Sequence, residues 1–161
     1  MNNIYIGKLV NTHGLKGEVK IISDFKYKED VFKINNKIYI NDIEYIIKSY
    51  RKHKMFDMVT LSNINSIDDA LNIKGSNVYI NREDYNFNGY LDEDLIGLDV
   101  YGIDFIGKVD SIINNNAHEL IVVTNEDKTH YVPYIDEFIE KIDLENKRID
   151  IKEIEGLINE N

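Results

Sequence analysis

The sequence predicts an all-β protein made of two small β-barrel domains with short helices. Three observations carry this. Apolar and polar residues alternate in short runs along most of the chain, the period-two signature of half-buried strands. Pairs of turn-forming residues separate those runs. Near the middle, "NREDYNFNGYLDE" over 81–93 breaks the pattern with polar, acidic and glycine residues, which places a linker at 83–93. One domain is then expected over 1–82 and a second over 94–161.

The elements follow in chain order. Ile4-Tyr5-Ile6 and Lys8-Leu9-Val10 read as a first strand interrupted by Gly7, and residues 18–22 as a second. Residues 37–40 and 43–47 flank Asn41-Asp42, a two-residue hairpin signal. Residues 58–61 and 78–80 complete the first set of strands. Between them Ser66 caps a short helix, with Asp69 three residues on as an acidic variant of the capping box and Gly75 as its stop. Five or six short strands and one helix suit a small closed barrel. In the second half strands are expected over 97–100, 107–113, 119–124, 129–132, 142–144 and 148–151. Polar turns lie at 125–128 and 145–147. Pro133 ends a strand, and Ile135, Phe138, Ile139 and Ile142 are spaced for one face of a short helix.

Composition excludes several functions. The 161 residues are 43% hydrophobic, enough for a core. No apolar run approaches the roughly 20 residues that span a bilayer. A basic segment followed by an apolar one is missing at the N-terminus, so no signal peptide is expected. There is no cysteine, which removes disulfides, thiolate nucleophiles and the common zinc frameworks and fits a cytoplasmic protein. Charge is uneven. Residues 1–82 hold 13 Lys/Arg and 9 Asp/Glu, a net +4; residues 83–161 hold 6 and 20, a net −14. The acidic half suits basic proteins, whereas the basic half can approach phosphate.

Catalytic chemistry finds no foothold. His13, His53, His118 and His130 show no metal-ligand spacing. There is no G-x-S-x-G elbow, and Asp68-Asp69 and Asp136-Glu137 sit at expected helix starts, where the helix dipole accounts for them. No enzyme, metal or cofactor is expected. "NTHGLKGEV" (11–19) is too short and wrongly ordered for a Walker loop. Its β-patterned flanks argue against the helix-joining G-x-x-G clamp of KH domains. It reads as a tight inter-strand turn held by Gly14 and Gly17, with Lys16 at the tip and His13 hydrogen-bonding the turn.

"IGKLVNTHGLKGEVKI" (6–21) resembles the N-terminal signature of the RimM family of bacterial ribosome maturation factors. "YRKHKMFDMVTLSNINSIDDALNIKGSNVYI" (50–80) resembles that family's basic hairpin, helix and closing strand, and "DLIGLDV" (94–100) the start of its PRC barrel. "GKVDSIINNNAHELIVV" (107–123) and "VPYIDEFIEKIDLENKRIDIKEIEGLI" (132–158) are similar to the rest of that domain. The resemblance implies a translation-factor-like six-stranded barrel followed by a PRC barrel. It also implies a non-catalytic role: binding the S-nineteen protein of the small-subunit head on the immature 30S particle and assisting maturation of the 16S rRNA 3′ domain. Where the family often carries an aromatic pair or triplet before "DLIG", this chain has Tyr90-Leu91-Asp92-Glu93. Family glycines after "HK" are Met55-Phe56-Asp57 here.

Two contact sets follow. Tyr90, Leu91, Asp94 and Leu95 are the expected anchors for the ribosomal protein. Lys16, Arg51, Lys52 and Lys54 are the expected rRNA contacts, with Tyr50 or Phe56 stacking on a base. A monomer without membrane contact is expected. The rival reading is an RNA-binding barrel acting directly on rRNA; a small-molecule binder would need a deep pocket lined by His13 or His118.

Overall fold

The computed structural model describes residues 2–152, divided between Asn88 and Gly89 into two units. Residues 153–161, the end of the expected second domain and of its last similar segment, lie outside the described residues.

The first unit runs β1 (Asn3–His13), β2 (Glu18–Ile22), α1 (Lys28–Val31), β3 (Lys37–Ile40), β4 (Ile43–His53), β5 (Phe56–Leu61), α2 (Ile67–Leu71) and β6 (Asn77–Asn81). Its strands close into a barrel in the order β1-β2-β5-β4-β3-β6. Every pairing is antiparallel, and closure leaves no edge strand to aggregate. Alternation decides which side chains go in: Ile4, Ile6, Leu9, Val19, Ile21, Ile38, Ile40, Ile47, Val59, Leu61, Val78 and Ile80 are all buried. β1 bends at two register shifts, so its first half pairs with β6 and its second with β2. Asn41 and Asp42 both take positive φ, 53° and 64°, the type I′ turn expected between β3 and β4.

Ser66 caps α2 as expected, its hydroxyl accepting from the Asp69 N–H at 3.1 Å. Asp69 returns its carboxylate to the Asn65 N–H at 3.0 Å, one residue earlier than a standard capping box. Gly14 and Gly17 adopt φ of +70° and +89°. A Cβ on Gly17 would meet the Ile64 carbonyl oxygen at 2.7 Å, whereas one on Gly14 would stand in open space. Gly17→Ala is therefore expected to destabilise the protein by about 2–4 kcal/mol, strain plus overpacking, and Gly14→Ala by only about 1 kcal/mol. Urea unfolding of both variants checks this; equal losses would refute the steric distinction.

Residues 82–88, set mostly in the linker by sequence, pack onto the first unit. After a 3-10 turn over Arg82–Asp84, Phe87 lies between Tyr27 (centroids 4.9 Å, stacked) and Tyr85 (5.4 Å, stacked), with Phe25 edge-on at 5.7 Å. Tyr85 donates its hydroxyl to the Lys37 carbonyl at 3.0 Å. Burial, then the charge of Asp84, holds that phenol well above its ordinary pKa.

The second unit runs α3 (Asp92–Leu95), β7 (Asp99–Tyr101), β8 (Phe105–Asn114), β9 (Glu119–Asn125), β10 (Lys128–Pro133), β11 (Ile139–Asp143) and β12 (Arg148–Ile151). They form one six-stranded sheet in the order β10-β9-β8-β7-β12-β11. β7 and β12 run parallel; the other pairs are antiparallel. Among the described residues the two outer strands, β10 and β11, do not pair with each other. Leu95, Leu98, Val100, Val109, Ile121, Val123, Val132, Ile149 and Ile151 make the core.

The helix expected after Pro133 does not form. Residues 135–138 make a single turn, with Phe138 and Ile139 N–H both donating to the Ile135 carbonyl, and β11 begins at Ile139. Ile139 and Ile142 pair with Ile151 and Ile149 of β12. Strand pairing takes Ile139 and Ile142 to the core, and Phe138 packs against it from the preceding turn, so the apolar spacing is satisfied without a helix.

Candidate functional site

Strands β1, β2, β5 and β4 are consecutive neighbours in the barrel, and directly opposed residues of antiparallel strands face the same side. Register aligns Asn11, Lys20, Met58 and Arg51 in one outward row, with His13 and Glu18 paired in the next and His53 opposite Phe56 at the hairpin end. Met58 is fully buried although it belongs to this outer face. Longer side chains therefore close over it. The Arg51 fork donates to both Glu18 carboxylate oxygens, Nε at 2.9 Å and Nη2 at 2.8 Å. The Lys20 ammonium lies 4.9 Å from the Phe56 ring centre, and the His13 and His53 rings are 6.1 Å apart.

The field on this face is positive. His53 is held below the ordinary imidazole pKa, first by partial desolvation and then by the charges of Arg51, Lys54, Lys20 and His13. Glu18 is lowered, chiefly by its hydrogen bond from Arg51.

The four expected RNA contacts divide. Arg51 is committed to Glu18, and the Lys52 ammonium lies 3.7 Å from Asp57. Lys16 and Lys54 are exposed on the two neighbouring hairpin turns, beside Leu15 (78% exposed) and Met55 (67%). Lys54 takes φ of +56° at the hairpin turn. His13 needs correction: it ends β1 and pairs with Glu18. Its ring turns toward His53 rather than bonding the turn, because the alternation of β1 puts it on the outer face. Sequence reasoning missed Lys20 and His53 as members of the face; the only signal was their odd–even phase within each strand.

Beneath the hairpin lies a group the sequence did not mark. Asp57, 1% exposed, accepts from the Tyr50 hydroxyl at 2.7 Å and the Lys28 ammonium at 3.0 Å. Lys28 also donates to the Ser23 carbonyl at 3.1 Å, and Tyr50 stacks on Phe32. This arrangement ties α1 to the hairpin. Tyr50, expected as a base-stacking residue, has a structural role here through Asp57 and Phe32 while staying 38% exposed. Burial, then the bond to Asp57, pushes its pKa up to about 12. A phenol raised in the folded state contributes stability that is complete below its unfolded value of about 10 and is lost as pH rises toward 12. In an absorbance titration, Tyr50→Phe should remove a tyrosinate step near pH 12; loss of a step near pH 10 would refute the assignment.

In the second unit the expected protein anchors are corrected by burial. Leu91 is 2% exposed and Leu95 0%. Leu95 belongs to the hydrophobic core, with Tyr90 partly buried against it. Asp94 uses its carboxylate to accept from the Leu91 N–H at 2.9 Å, capping α3. A four-residue helix has one face to bury, and its apolar residues took it. Ile96, just after α3, is 49% exposed and stands next to this acidic turn. On the face opposite the core, apolar residues align across β8–β9–β10: Ile113 with Leu120 and Pro133, and the buried Val122 with Tyr131. An open depression in the first unit, lined by Asn3, Asn41, Asp42, Asn77 and Tyr79, is polar and includes neither His13 nor His118.

Known proteins share this organisation. The family model of the RimM N-terminal domain matches residues 4–85, and that of the RimM PRC barrel domain matches residues 92–157. A ribosome maturation factor RimM from Ligilactobacillus salivarius is 38% identical over 167 residues, covering 98% of this chain and 99% of its own. One from Staphylococcus aureus is 34% identical over 166 residues, covering 97% and 99%. A crystal structure of a 16S ribosomal RNA processing protein RimM from Pseudomonas aeruginosa aligns with a TM-score of 0.48 at 20% identity, over 95% of this chain and 98% of that one. The solution structure of the N-terminal domain of RimM from Thermus thermophilus aligns at 0.47 and 17%, over 55% and 100%.

Proposed function

The chain belongs to the RimM family, and from that premise we propose that it is a non-catalytic ribosome maturation factor whose acidic second domain holds the basic S-nineteen protein on immature 30S particles. The observation that supports this most is charge: residues 83–161 carry a net −14, suited to fast, salt-sensitive encounter with a basic protein. Apolar anchors then supply most of the affinity. With Leu91 and Leu95 in the interior, the anchors available around α3 are Tyr90, half-buried, and Ile96, exposed. Glu93, exposed on α3, adds to the acidic rim. The factor is proposed to act as a monomer in the cytoplasm and to assist folding of the 16S rRNA 3′ domain in the subunit head.

Pull-down of purified S-nineteen protein at low salt tests the reading. Ile96→Asp should weaken capture by about tenfold or more, as loss of an interface anchor does, and added salt should weaken the wild type. Failure of the wild type to bind at low micromolar concentration would sink it. Co-sedimentation should favour immature over mature 30S particles. A second reading, direct rRNA contact by the first domain, is favoured by the exposed Lys16 and Lys54 on adjacent turns of its positive face. Charge reversal at both that leaves 30S association unchanged would reject their part in it.

A further inference from the structure

We propose that the outer face of β1, β2, β5 and β4 is a proton-linked binding site for the phosphodiester backbone of unpaired RNA, gripped by Lys20, His13 and His53, with Phe56 as the stacking surface for one base. The inference rests on the direct-contact reading of the first domain and names its site and regulation.

Charge complementarity argues for the ligand. At the hairpin end of this face the ionisable groups are His13 from β1, Glu18 and Lys20 from β2, Arg51 and His53 from β4, and Lys16 and Lys54 from the two turns; β5 contributes Phe56, Met58 and Thr60. Lys8 of β1 and Glu44 and Lys48 of β4 face outward further along the strands. Glu18 and Arg51 cancel each other through two hydrogen bonds. Three ammonium groups, of Lys16, Lys20 and Lys54, and two imidazoles remain, with no second carboxylate at this end of the face; Glu44 of β4 is paired with Tyr39 and Lys37 at the other end. Asp57 lies on the opposite side of β5, engaged by Lys28 and Tyr50. The imidazoles, 6.1 Å apart, can donate to oxygens of one phosphate or of neighbouring ones. Phe56 carries the Lys20 charge at 4.9 Å, the pairing of aromatic ring and backbone-tracking cation that single-strand binders use. A flat ring needs a splayed-out base, which a duplex withholds.

The proton linkage has a definite sign. His53 is depressed by partial desolvation and by the cations around it. A bound phosphate offsets those cations, so the imidazole pKa is higher in the complex than in the free protein. Affinity is then complete below the free imidazole's pKa and is lost as pH rises through that of the complex.

Fluorescence anisotropy of the full chain with a labelled oligouridine of about twelve nucleotides, within the span of such sites, tests the proposal near pH 6 and near pH 7.5 at low salt. Binding should be about threefold or more tighter at the lower pH, since each linked proton contributes up to tenfold per pH unit. His13→Gln/His53→Gln should flatten the pH response. Lys20→Gln should reduce the slope of log affinity against log salt by about 0.7, one single-strand phosphate contact. An unchanged pH response in the double variant, or equal binding of a duplex RNA, overturns the site and leaves the direct-contact reading standing. No wild-type binding of either RNA overturns both. Should the double variant fail to fold, histidine nitrogen shifts of the wild type decide: His13 and His53 should move on adding oligouridine, and their failure to move overturns the proposal.

Discussion

Asp57→Ala is expected to destabilise the protein by about 3 kcal/mol, the low end for breaking a buried ion pair. The carboxylate is 1% exposed and joins α1 to the β4–β5 hairpin through Lys28 and Tyr50. Its removal leaves the Tyr50 hydroxyl without its acceptor and the Lys28 ammonium without its counter-charge, with only the Ser23 carbonyl still accepting from it. Burial, the largest single influence, lowers the Lys28 pKa, but the hydrogen bond to Asp57 together with the neighbouring Lys52 contact and the charges of Asp57 and Glu29 leaves it raised. The Lys28 side chain is 26% exposed, so water recovers part of the loss, which keeps the expected cost at the low end. Urea unfolding with an unchanged m-value would measure it. Adding Lys28→Met should restore part of the stability by removing the orphaned charge. A loss under about 1 kcal/mol would place Asp57 among ordinary surface pairs and refute its structural role.

Phe87→Ala should cost about 3–5 kcal/mol, the range for deleting a buried phenylalanine. The ring is sandwiched by Tyr27 and Tyr85, flanked by Phe25, with the Arg82 guanidinium 5.5 Å from its centre. Truncation removes its buried area and the ring-on-ring contacts of three neighbours. It should also release residues 82–88 from the barrel. Amide exchange in that segment should therefore rise more than in β6, and a uniform rise would show that the stack does not pin the segment locally.

The two experiments probe what was least legible in the sequence. Tyr85, Phe87 and Tyr90 stand in a polar stretch without period, and nothing local tells a linker aromatic from one that packs. Tyr27 and Phe25, which receive Phe87, lie far upstream. Asp57 occupies a position where strand alternation places it inward with Val59 and Leu61, yet its counter-charge comes from a four-residue helix with no sequence signal of its own. The same limit explains the anchors around α3. Leu91 and Leu95 are apolar in an acidic turn, and sequence alone leaves open whether such residues face a partner or the interior. The core behind α3 decided.

Turns and caps follow from local backbone preference. Asn41-Asp42 specifies its hairpin because two positive φ values suit those residues. Ser66 caps its helix because its hydroxyl reaches an N–H three residues on, and Gly14 and Gly17 mark a turn because left-handed backbone is costly for other residues.

By itself, then, the sequence determined the two-part all-β organisation, the turns and the split of charge between its halves. These depend on neighbours within a few positions, where backbone preference and the period of two act directly. Only the tertiary structure decided the parallel pairing of β7 with β12, the strand that replaced the helix after Pro133, and the meeting of His13, Lys20 and His53 on one face. Those contacts join residues distant in the chain. Their energy comes from burial and pairing that exist only once the sheets have formed, so no local pattern records them.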